Sequence, residues 1–149
     1  MIGVQPSATA PLVQAITRNL ENSPSVEGKP TIQFSTGVSS TSLEGIRAVR
    51  ESGGTALSVD DESVLEAQRD LAQLEGIFVE QSSASSIAAI PQLIERKLID
   101  PDSEVACILT SGGLKDTKTA GRDLPRTKPI LNDWHSFANF MEQVYNFQI

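Results

Sequence analysis

Residues 55–80, TALSVDDESVLEAQRDLAQLEGIFVE, contain the pattern that decides the fold. The run Thr55–Val59 is short, apolar and β-branched, which predicts a strand. Asp60 and Asp61 then provide a capping oxygen and negative charge where a helix begins. Val64, Ala67, Leu71 and Leu74 recur at helical spacing, so they predict one apolar helix face. Gly76 ends that helix, and Ile77–Val79 predicts a further short strand.

The same alternation continues on both sides of this stretch. Before it, the sequence predicts a strand at Ile2–Gln5, a helix at Ala8–Leu20 and a short strand at Thr31–Phe34. A further helix is predicted from the Thr41–Glu44 capping box to about Glu51, and Gly53-Gly54 ends it. After it, a helix is predicted at Ser82–Lys97, which Pro91 kinks or restarts. Strands that alternate with helices are typical of parallel sheets joined by crossover helices. The predicted class is therefore α/β.

Glu104–Leu109, EVACIL, is the most apolar of the predicted strands. A nearly continuous apolar run predicts a strand buried on both faces of a parallel sheet. We therefore expect residues 1–149 to form a single α/β domain with a Rossmann-like parallel sheet flanked by helices.

The tail, residues 117–149, differs in character. Five of the seven aromatic residues lie in the last 16 positions, and with Met141 and Val144 they predict an amphipathic helix over about 131–146. This helix either packs on the domain's own sheet or covers a missing domain or a second subunit. A basic stretch before it (Lys115, Lys118, Arg122, Arg126, Lys128) is interpreted as a solvated loop.

Composition excludes several classes of partner. The 149 residues carry 12 basic and 19 acidic side chains, a formal charge of −7, which repels nucleic acid and anionic lipid. The N-terminal residues lack the pattern of a signal peptide and no 18 consecutive residues are apolar, so we expect a soluble, cytoplasmic protein. Cys107 is the only cysteine, and we expect it to be an inert thiol in the core. Because the sequence has only this cysteine and one histidine, His135, no metal site is expected.

Three loops that follow predicted strands are candidate ligand sites: Thr110–Asp116, Glu80–Ser86 and Pro6–Ala8. In open α/β sheets ligands bind beyond the carboxyl ends of the strands. Thr110 provides a neutral hydroxyl, and Gly112-Gly113 lets backbone approach a ligand closely. Two simpler interpretations stay open, because a strand followed by glycines also makes an ordinary turn and a serine-rich helix start is also an ordinary N-cap.

Three segments, IGVQPSATAPLV, LEGIRAVRESGGTALSVDDESVLEAQRDLAQLEGIFVEQSSASSIAAI and VACILTSGGLKD, follow one another in an order that resembles the C-terminal portion of threonine synthase. That family belongs to the fold type II pyridoxal-phosphate (PLP) enzymes related to the tryptophan synthase β subunit. Threonine synthases typically show T-G-H-G-L-K-D where this chain has Thr110–Asp116, TSGGLKD. The Leu-Lys-Asp ending favours threonine synthase over threonine dehydratase, whose loop is more like L-S-G-G-N.

The resemblance implies a cofactor site shared with other polypeptide. Thr110 would hydrogen-bond the pyridine nitrogen of PLP, and the other cofactor-binding residues would be Ser111, Gly112, Glu80, Ser82 and Ser83. The Schiff-base lysine and the glycine-rich phosphate loop of such enzymes belong to an N-terminal half that this sequence lacks. No catalytic residue is therefore expected in this chain, which is expected to be inactive alone.

The implied reaction converts O-phosphohomoserine and water to threonine and phosphate. The expected partners are the missing N-terminal half, a second copy of the enzyme in a homodimer, and a small amino-acid substrate. Ser111-Gly112 departs from the usual Gly-His of the family, and residues 33–42 depart from the sequence that threonine synthases commonly have there. Two alternatives stay open: a fragment of a threonine dehydratase or cysteate synthase-like enzyme, and a non-catalytic binding or interaction module.

Overall fold

The computed structural model of the chain describes residues 1–124 and 129–148. Its elements are, in chain order, β1 (Ile2–Pro6), α1 (Pro11–Thr17), α2 (Leu43–Glu51), β2 (Thr55–Val59), α3 (Asp61–Leu74), α4 (Gln81–Ala88), α5 (Ile90–Glu95), a 3-10 turn (Gly113–Asp116), α6 (Thr117–Ala120) and α7 (Trp134–Tyr145). Two residues of the basic stretch, Arg126 and Lys128, lie outside the described residues.

The sheet consists of two parallel strands with helices on both faces. β1 pairs with β2 in the register Ile2 to Thr55 through Pro6 to Val59. On one face Gly3 lies against Leu12 of α1, where an added Cβ would meet Leu12 Cδ2 at 2.6 Å. On the other face Leu57 and Val59 join a core formed with α3, α4 and α5. The predicted α/β class with a parallel sheet is confirmed.

The main core fills the space between β2 and the helices that follow it. Its buried members are Leu57, Val59, Val64, Ala67, Leu71, Val79, Ala84, Ala88, Ala89 and Leu93. Most are small or β-branched, which allows α3 and α4 to pack closely on each other and on the sheet. This packing fixes where the N-terminus of α4 lies relative to the strand ends.

Helix starts follow the local chemistry of the sequence, with one shift. Asp60 caps α3 as predicted, and its side chain accepts a hydrogen bond from the Ser63 amide at 2.9 Å. The cap of α2 is Ser42, which accepts from the Gly45 amide at 3.0 Å, and the prediction of Thr41 as the cap is wrong. The Thr41 amide instead donates to Ser23 Oγ, which draws this residue out of the helix.

Two predicted helices are shorter than expected. The first spans only Pro11–Thr17. It begins at Pro11, because proline is favoured in the first turn of a helix, and it ends before Asn19, whose backbone is left-handed with a φ of 51°. The predicted helix over 82–97 is two helices, α4 and α5, and Pro91 lies in the first turn of α5. This agrees with a restart at that proline.

Three predicted strands are not strands in the described structure. Thr31–Phe34 is a loop whose polar atoms bind Asp61, and Ile77–Val79 forms only an isolated antiparallel bridge between Val79 and Gly112. Glu104–Leu109 is largely exposed and makes no backbone hydrogen bond to another described residue. An apolar run becomes a buried strand only when neighbouring strands flank it, and the described residues provide none for this segment.

α7, Trp134–Tyr145, lies within the predicted helix over about 131–146. Asp133 caps it, and Asn146, with φ of 50°, ends it. No residue of α7 is buried, and Trp134 is 67% exposed. Of the two alternatives for its packing, burial on the domain's own sheet is not seen in the described structure, where α7 makes no extensive contact with a strand.

Replacing Leu57 by alanine should lower the free energy of unfolding by about 2 to 5 kcal/mol, because the side chain is 1% exposed and a cavity would remain. Leu74→Ala is the matched control. Leu74 is 78% exposed, so its loss should change stability by no more than about 0.5 kcal/mol. Urea unfolding followed by circular dichroism measures both, and equal effects would contradict the assigned core.

The apolar face of α7 should drive self-association, since Trp134 and Phe137 form an aromatic pair with ring centroids 5.8 Å apart and both are exposed. Sedimentation velocity should show concentration-dependent association. The double substitution Trp134→Ser and Phe137→Ser should weaken it about tenfold or more, whereas Asn139→Ser should not. A clean monomer at high concentration would contradict this expectation.

Candidate functional site

Two hydroxyl groups meet where the segment after residue 104 reaches the N-terminus of α4. Thr110 Oγ1 lies 3.0 Å from Ser83 Oγ, and the Ser111 amide donates to the same Ser83 oxygen at 2.9 Å. Ser83 is buried, whereas Thr110 is exposed. The buried serine therefore orients a threonine hydroxyl that a ligand can reach.

Glu80, the residue before α4, ties the neighbouring loops together. Its side chain is 1% exposed, and its carboxylate accepts hydrogen bonds from Ser35 Oγ and, at 3.4 Å, from Lys115 Nζ. Its backbone amide donates to the Ser111 carbonyl at 3.0 Å. Three segments that are distant in sequence are joined at this one residue.

The surroundings of Glu80 favour its charged form. Burial alone would raise the pKa of the carboxyl, but hydrogen bonds from Ser35 and Ser111 and the positive charge of Lys115 outweigh burial and hold the pKa below its ordinary value of 4.5. The carboxylate is therefore ionised at neutral pH and serves as a charged hydrogen-bond acceptor between the loops.

The loop that carries Ser35 is itself fastened to the sheet. Asp61, in the first turn of α3, accepts hydrogen bonds from Thr31 Oγ1 at 2.6 Å and from the Ile32 amide at 3.1 Å. Gln33 Nε2 also donates to Asp61, and it lies 3.3 Å from the Val59 carbonyl at the end of β2. The Ser35 amide then donates to Ser82 Oγ at 3.2 Å, so the loop connects the strand end to α4.

Gly112 and Gly113 have separate structural roles. Gly112 forms a bridge with Val79, and the position of an added Cβ there has no atom within 4 Å. Gly113 donates its amide to the Phe78 carbonyl at 3.1 Å, and an added Cβ would lie 2.6 Å from the Phe78 ring. Gly113 therefore allows close packing, while the space beside Gly112 is open.

The structure brings the six predicted site residues into one region. Thr110, Ser82 and Ser83 line a groove of about 520 Å³. Ser111 and Gly112 form the turn next to Thr110, while the Glu80 side chain does not line the groove. The loop Pro6–Ala8 lies elsewhere at the strand ends, where the Ser7 amide donates to the Val59 carbonyl.

Some features of this region were not predicted. Cys107 lines the groove and is half-buried, so its interpretation as a core thiol within a buried strand is wrong, because that strand has no flanking neighbour in the described structure. Ser35 and Lys115, two side chains that bind the Glu80 carboxylate, were not among the six predicted cofactor contacts. The only sequence signal for Ser35 was the run of small polar residues STGVSSTS at 35–42, which resembles the serine-rich start of α4.

Residues 1–124 and 129–148 contain neither a metal-binding cluster nor a membrane span. No group of three or more histidine, cysteine, aspartate or glutamate side chains in these ranges could hold a metal ion. Among the described helices, none combines the length and apolar character needed to cross a bilayer.

Comparison with known proteins places the chain among cofactor-dependent enzymes. Residues 1–111 match the family model described as pyridoxal-phosphate dependent enzyme. The chain is 40% identical over 121 residues to the threonine synthase of Methanosarcina acetivorans, covering 80% of this chain and 30% of that protein. It is 38% identical over 124 residues to the threonine synthase of Methanocaldococcus jannaschii, covering 82% and 31%. The resemblance stated from the sequence is confirmed, and the chain spans about a third of the length of these relatives.

Solved structures agree with the fold. A threonine deaminase from T.th. superposes with a TM-score of 0.58 at 21% identity, covering 86% of this chain and 36% of that one. Maize serine racemase superposes with a TM-score of 0.62 at 19% identity, covering 83% and 37%. At these identities the likeness concerns the fold alone.

Glu80→Gln should lower the free energy of unfolding at about pH 7 by about 1 to 3 kcal/mol, because a buried charge-assisted acceptor is lost. The folded-state pKa of Glu80 lies below 4.5, so its stabilising effect is complete above that pH. The effect is lost as the pH falls through the lowered value. The difference between wild type and variant should therefore shrink in acid.

Urea unfolding at neutral and acid pH measures this difference. Glu75→Gln is the control, because Glu75 is exposed at the end of α3 and should change stability little. A difference between wild type and Glu80→Gln that stays constant at every pH would show that the charge of Glu80 has no part in joining the loops.

Proposed function

Because the chain belongs to the family of pyridoxal-phosphate dependent enzymes, we propose that it forms one part of a threonine synthase-like enzyme. The complete enzyme would convert O-phosphohomoserine and water to threonine and phosphate. The relatives named threonine synthase, at 34 to 42% identity, support this substrate class. Leu114-Lys115-Asp116, the ending of the loop that begins at Thr110, resembles the same enzymes.

The observation that carries the proposal is the exposed Thr110 hydroxyl held by buried Ser83. A hydroxyl can donate or accept a hydrogen bond, so it can hydrogen-bond the nitrogen of a pyridine ring. Open space beside Gly112 leaves room for the edge of a planar ring. The residues present therefore fit the ring-nitrogen edge of PLP, with Thr110 as the contact and Ser83 as the group that orients it.

When bound, the cofactor supplies an electron sink for covalent catalysis at the α-carbon of the amino-acid substrate. This chain would bind and orient the ring. A neutral hydroxyl does not hold the ring nitrogen protonated as an aspartate would, which favours elimination and replacement over transamination. Ser82, Ser111 and Glu80 would shape the same edge of the site, Glu80 through the loops that it joins.

The remaining parts of the site would come from other polypeptide. The lysine that forms the Schiff base and the phosphate-binding loop are assigned to the missing N-terminal half, in a cytoplasmic homodimer. The chain by itself would then be inactive.

Threonine deamination is the second candidate. Ser111-Gly112-Gly113 matches the S-G-G of the dehydratase loop more closely than the Gly-His of threonine synthase. A complex of this chain that forms a 2-oxo acid from threonine, and no phosphate from O-phosphohomoserine, would favour this alternative.

The test compares the chain alone with the chain co-expressed with the part of the Methanosarcina acetivorans relative that it does not match. The complex should release phosphate from O-phosphohomoserine and should give a lysine-dependent absorbance band with PLP. The chain alone should do neither. Activity of the isolated chain, abolished by substituting one of its own lysines, would contradict the proposal.

Within that complex, Thr110→Val should weaken PLP binding about tenfold, since one hydrogen bond of about 1 kcal/mol or more is lost. Thr110→Ser keeps the hydroxyl and should bind PLP within about threefold of wild type. Fluorescence titration with PLP measures both variants. Equal affinities for the valine and serine variants would remove Thr110 from the cofactor site.

A further inference from the structure

A second pocket lies between the end of α1 and the exposed face of α2, away from the groove beside Thr110. It has a volume of about 380 Å³, within the range of about 300 to 1,000 Å³ that small-molecule sites occupy. The residues that line this arginine pocket are Glu21, Asn22, Leu43, Arg47 and Arg50. None of them lines the groove, so the arginine pocket and the candidate cofactor site are separate.

Three of the lining residues share one face of α2. Leu43, Arg47 and Arg50 follow one another at spacings of four and three residues, which aligns their side chains along a helix. Ile46 and Val49 of the same helix are buried and anchor it on the domain. The two arginines therefore project from a fixed surface, with an apolar side chain beside them.

The Arg50 guanidinium is held in place but is not neutralised. The residue is half-buried, and its Nη2 donates to the Leu20 carbonyl at 2.7 Å and to the Ala15 carbonyl at 3.3 Å. These two bonds use one of its three nitrogens, and Nε and Nη1 donate to no other described residue. A carbonyl oxygen orients a guanidinium without cancelling its charge, so Arg50 presents a positioned cation that still has donors to offer.

Arg47 adds a second positive charge that has no counter-ion in the described structure. Its side chain is exposed and makes neither a hydrogen bond nor an ion pair with another residue in the described ranges. Glu21 lines the same pocket but forms no ion pair with Arg47 or Arg50. Although the chain as a whole carries a formal charge of −7, the lining of this pocket has two positive charges and one negative charge. A small anion responds to that local excess of positive charge.

We infer that the arginine pocket binds a dianionic phosphate group. The planar pairs of donors on a guanidinium match the oxygens of phosphate, and two guanidinium groups match the two charges of a dianion. Asn22 brings a neutral amide to the same surface, and its NH₂ can donate to a further oxygen. The inference does not rest on the proposed function, because no residue of the groove takes part.

A phosphate group reaches such a pocket either as the free ion or as part of a small ester. Leu43 distinguishes these two sources, since its half-buried side chain offers an apolar surface to the organic part of an ester and nothing to the free ion. A carboxylate carries one charge instead of two, so it should be the weaker ligand for both arginines.

Nuclear magnetic resonance titration of the chain tests the inference with inorganic phosphate, phenyl phosphate and acetate. At about pH 7.5 the two phosphates are largely dianionic, and chloride keeps the ionic strength constant. Both phosphates should shift the backbone amides of Asn22, Leu43 and Arg47 saturably, with a Kd of about 1 mM or tighter, and acetate should bind about tenfold more weakly. Shifts that never saturate, or equal binding of acetate and phosphate, would overturn the inference.

The two phosphates also identify the source of the phosphate group. Tighter binding of phenyl phosphate, lost in Leu43→Ala, would support the site with an ester as its ligand. Equal binding of the two probes would support the site with free phosphate as its ligand.

Charge substitutions provide the second measurement. Arg47→Gln should weaken phosphate binding about tenfold or more, because charged hydrogen bonds to the anion are lost. The fold should survive, since Arg47 is exposed. Glu21→Gln should strengthen binding about threefold, because it removes a negative charge from the lining. Arg50 is unsuitable as the test position, since its bonds to α1 would be lost together with the charge.

Arg96→Gln is the matched control. It removes the same charge from an exposed arginine that follows α5 and does not line the pocket, so binding should stay within about threefold of wild type. Equal losses in Arg47→Gln and Arg96→Gln would show that phosphate responds only to the total charge of the chain. That result, or full binding by Arg47→Gln, would overturn the inference.

Discussion

The site depends on one buried carboxylate. Glu80 lies at the point where the loop before α2, the start of α4 and the turn after residue 110 meet, and it binds a group from each of the other two segments. Taking a charge out of water is costly unless hydrogen bonds replace the lost hydration, which is why Ser35 and Lys115 are needed there. Since Ser83 and Thr110 are positioned by the same turn and helix start, the geometry of the exposed hydroxyl follows from how this charge is satisfied.

The second constraint is the pairing of backbone groups. A two-stranded parallel sheet is unusually small, because parallel sheets are stabilised by burial on both faces and by neighbours on both edges. In this chain α1 and α2 cover one face and α3 to α5 cover the other, so the faces are satisfied while one edge of β1 is not. Val105 and Ile108 also expose apolar side chains, and the segment that carries them makes no backbone hydrogen bond to another described residue.

Sequence reasoning succeeded where the determining interactions are local. The Asp60 cap, the proline restart at α5 and the glycine stop with φ of 68° at Gly76 each depend on residues within one turn of chain. It failed for Glu104–Leu109, because strand formation depends on a neighbour that the sequence of the segment cannot specify. The pair of Ser35 and Glu80 is separated by 45 residues, and no local pattern signals such a contact. The candidate site residues could be predicted because family resemblance identifies positions, whereas the interactions that hold them required the fold.

The arrangement of charge in the site also bears on its chemistry. The anionic group, Glu80, is turned into the protein and neutralised by Lys115, while the group that lines the groove, Thr110, is neutral. If Glu80 faced the groove instead, its charge would stabilise a protonated ring nitrogen and strengthen the cofactor as an electron sink. Burying the carboxylate behind the loops therefore separates two roles: the charge fixes the position of the loops, and the hydroxyl is left to contact the ring in the proposed site. Because these roles are carried by different residues, Thr110 alone among the proposed contacts would set the polarity at the ring nitrogen.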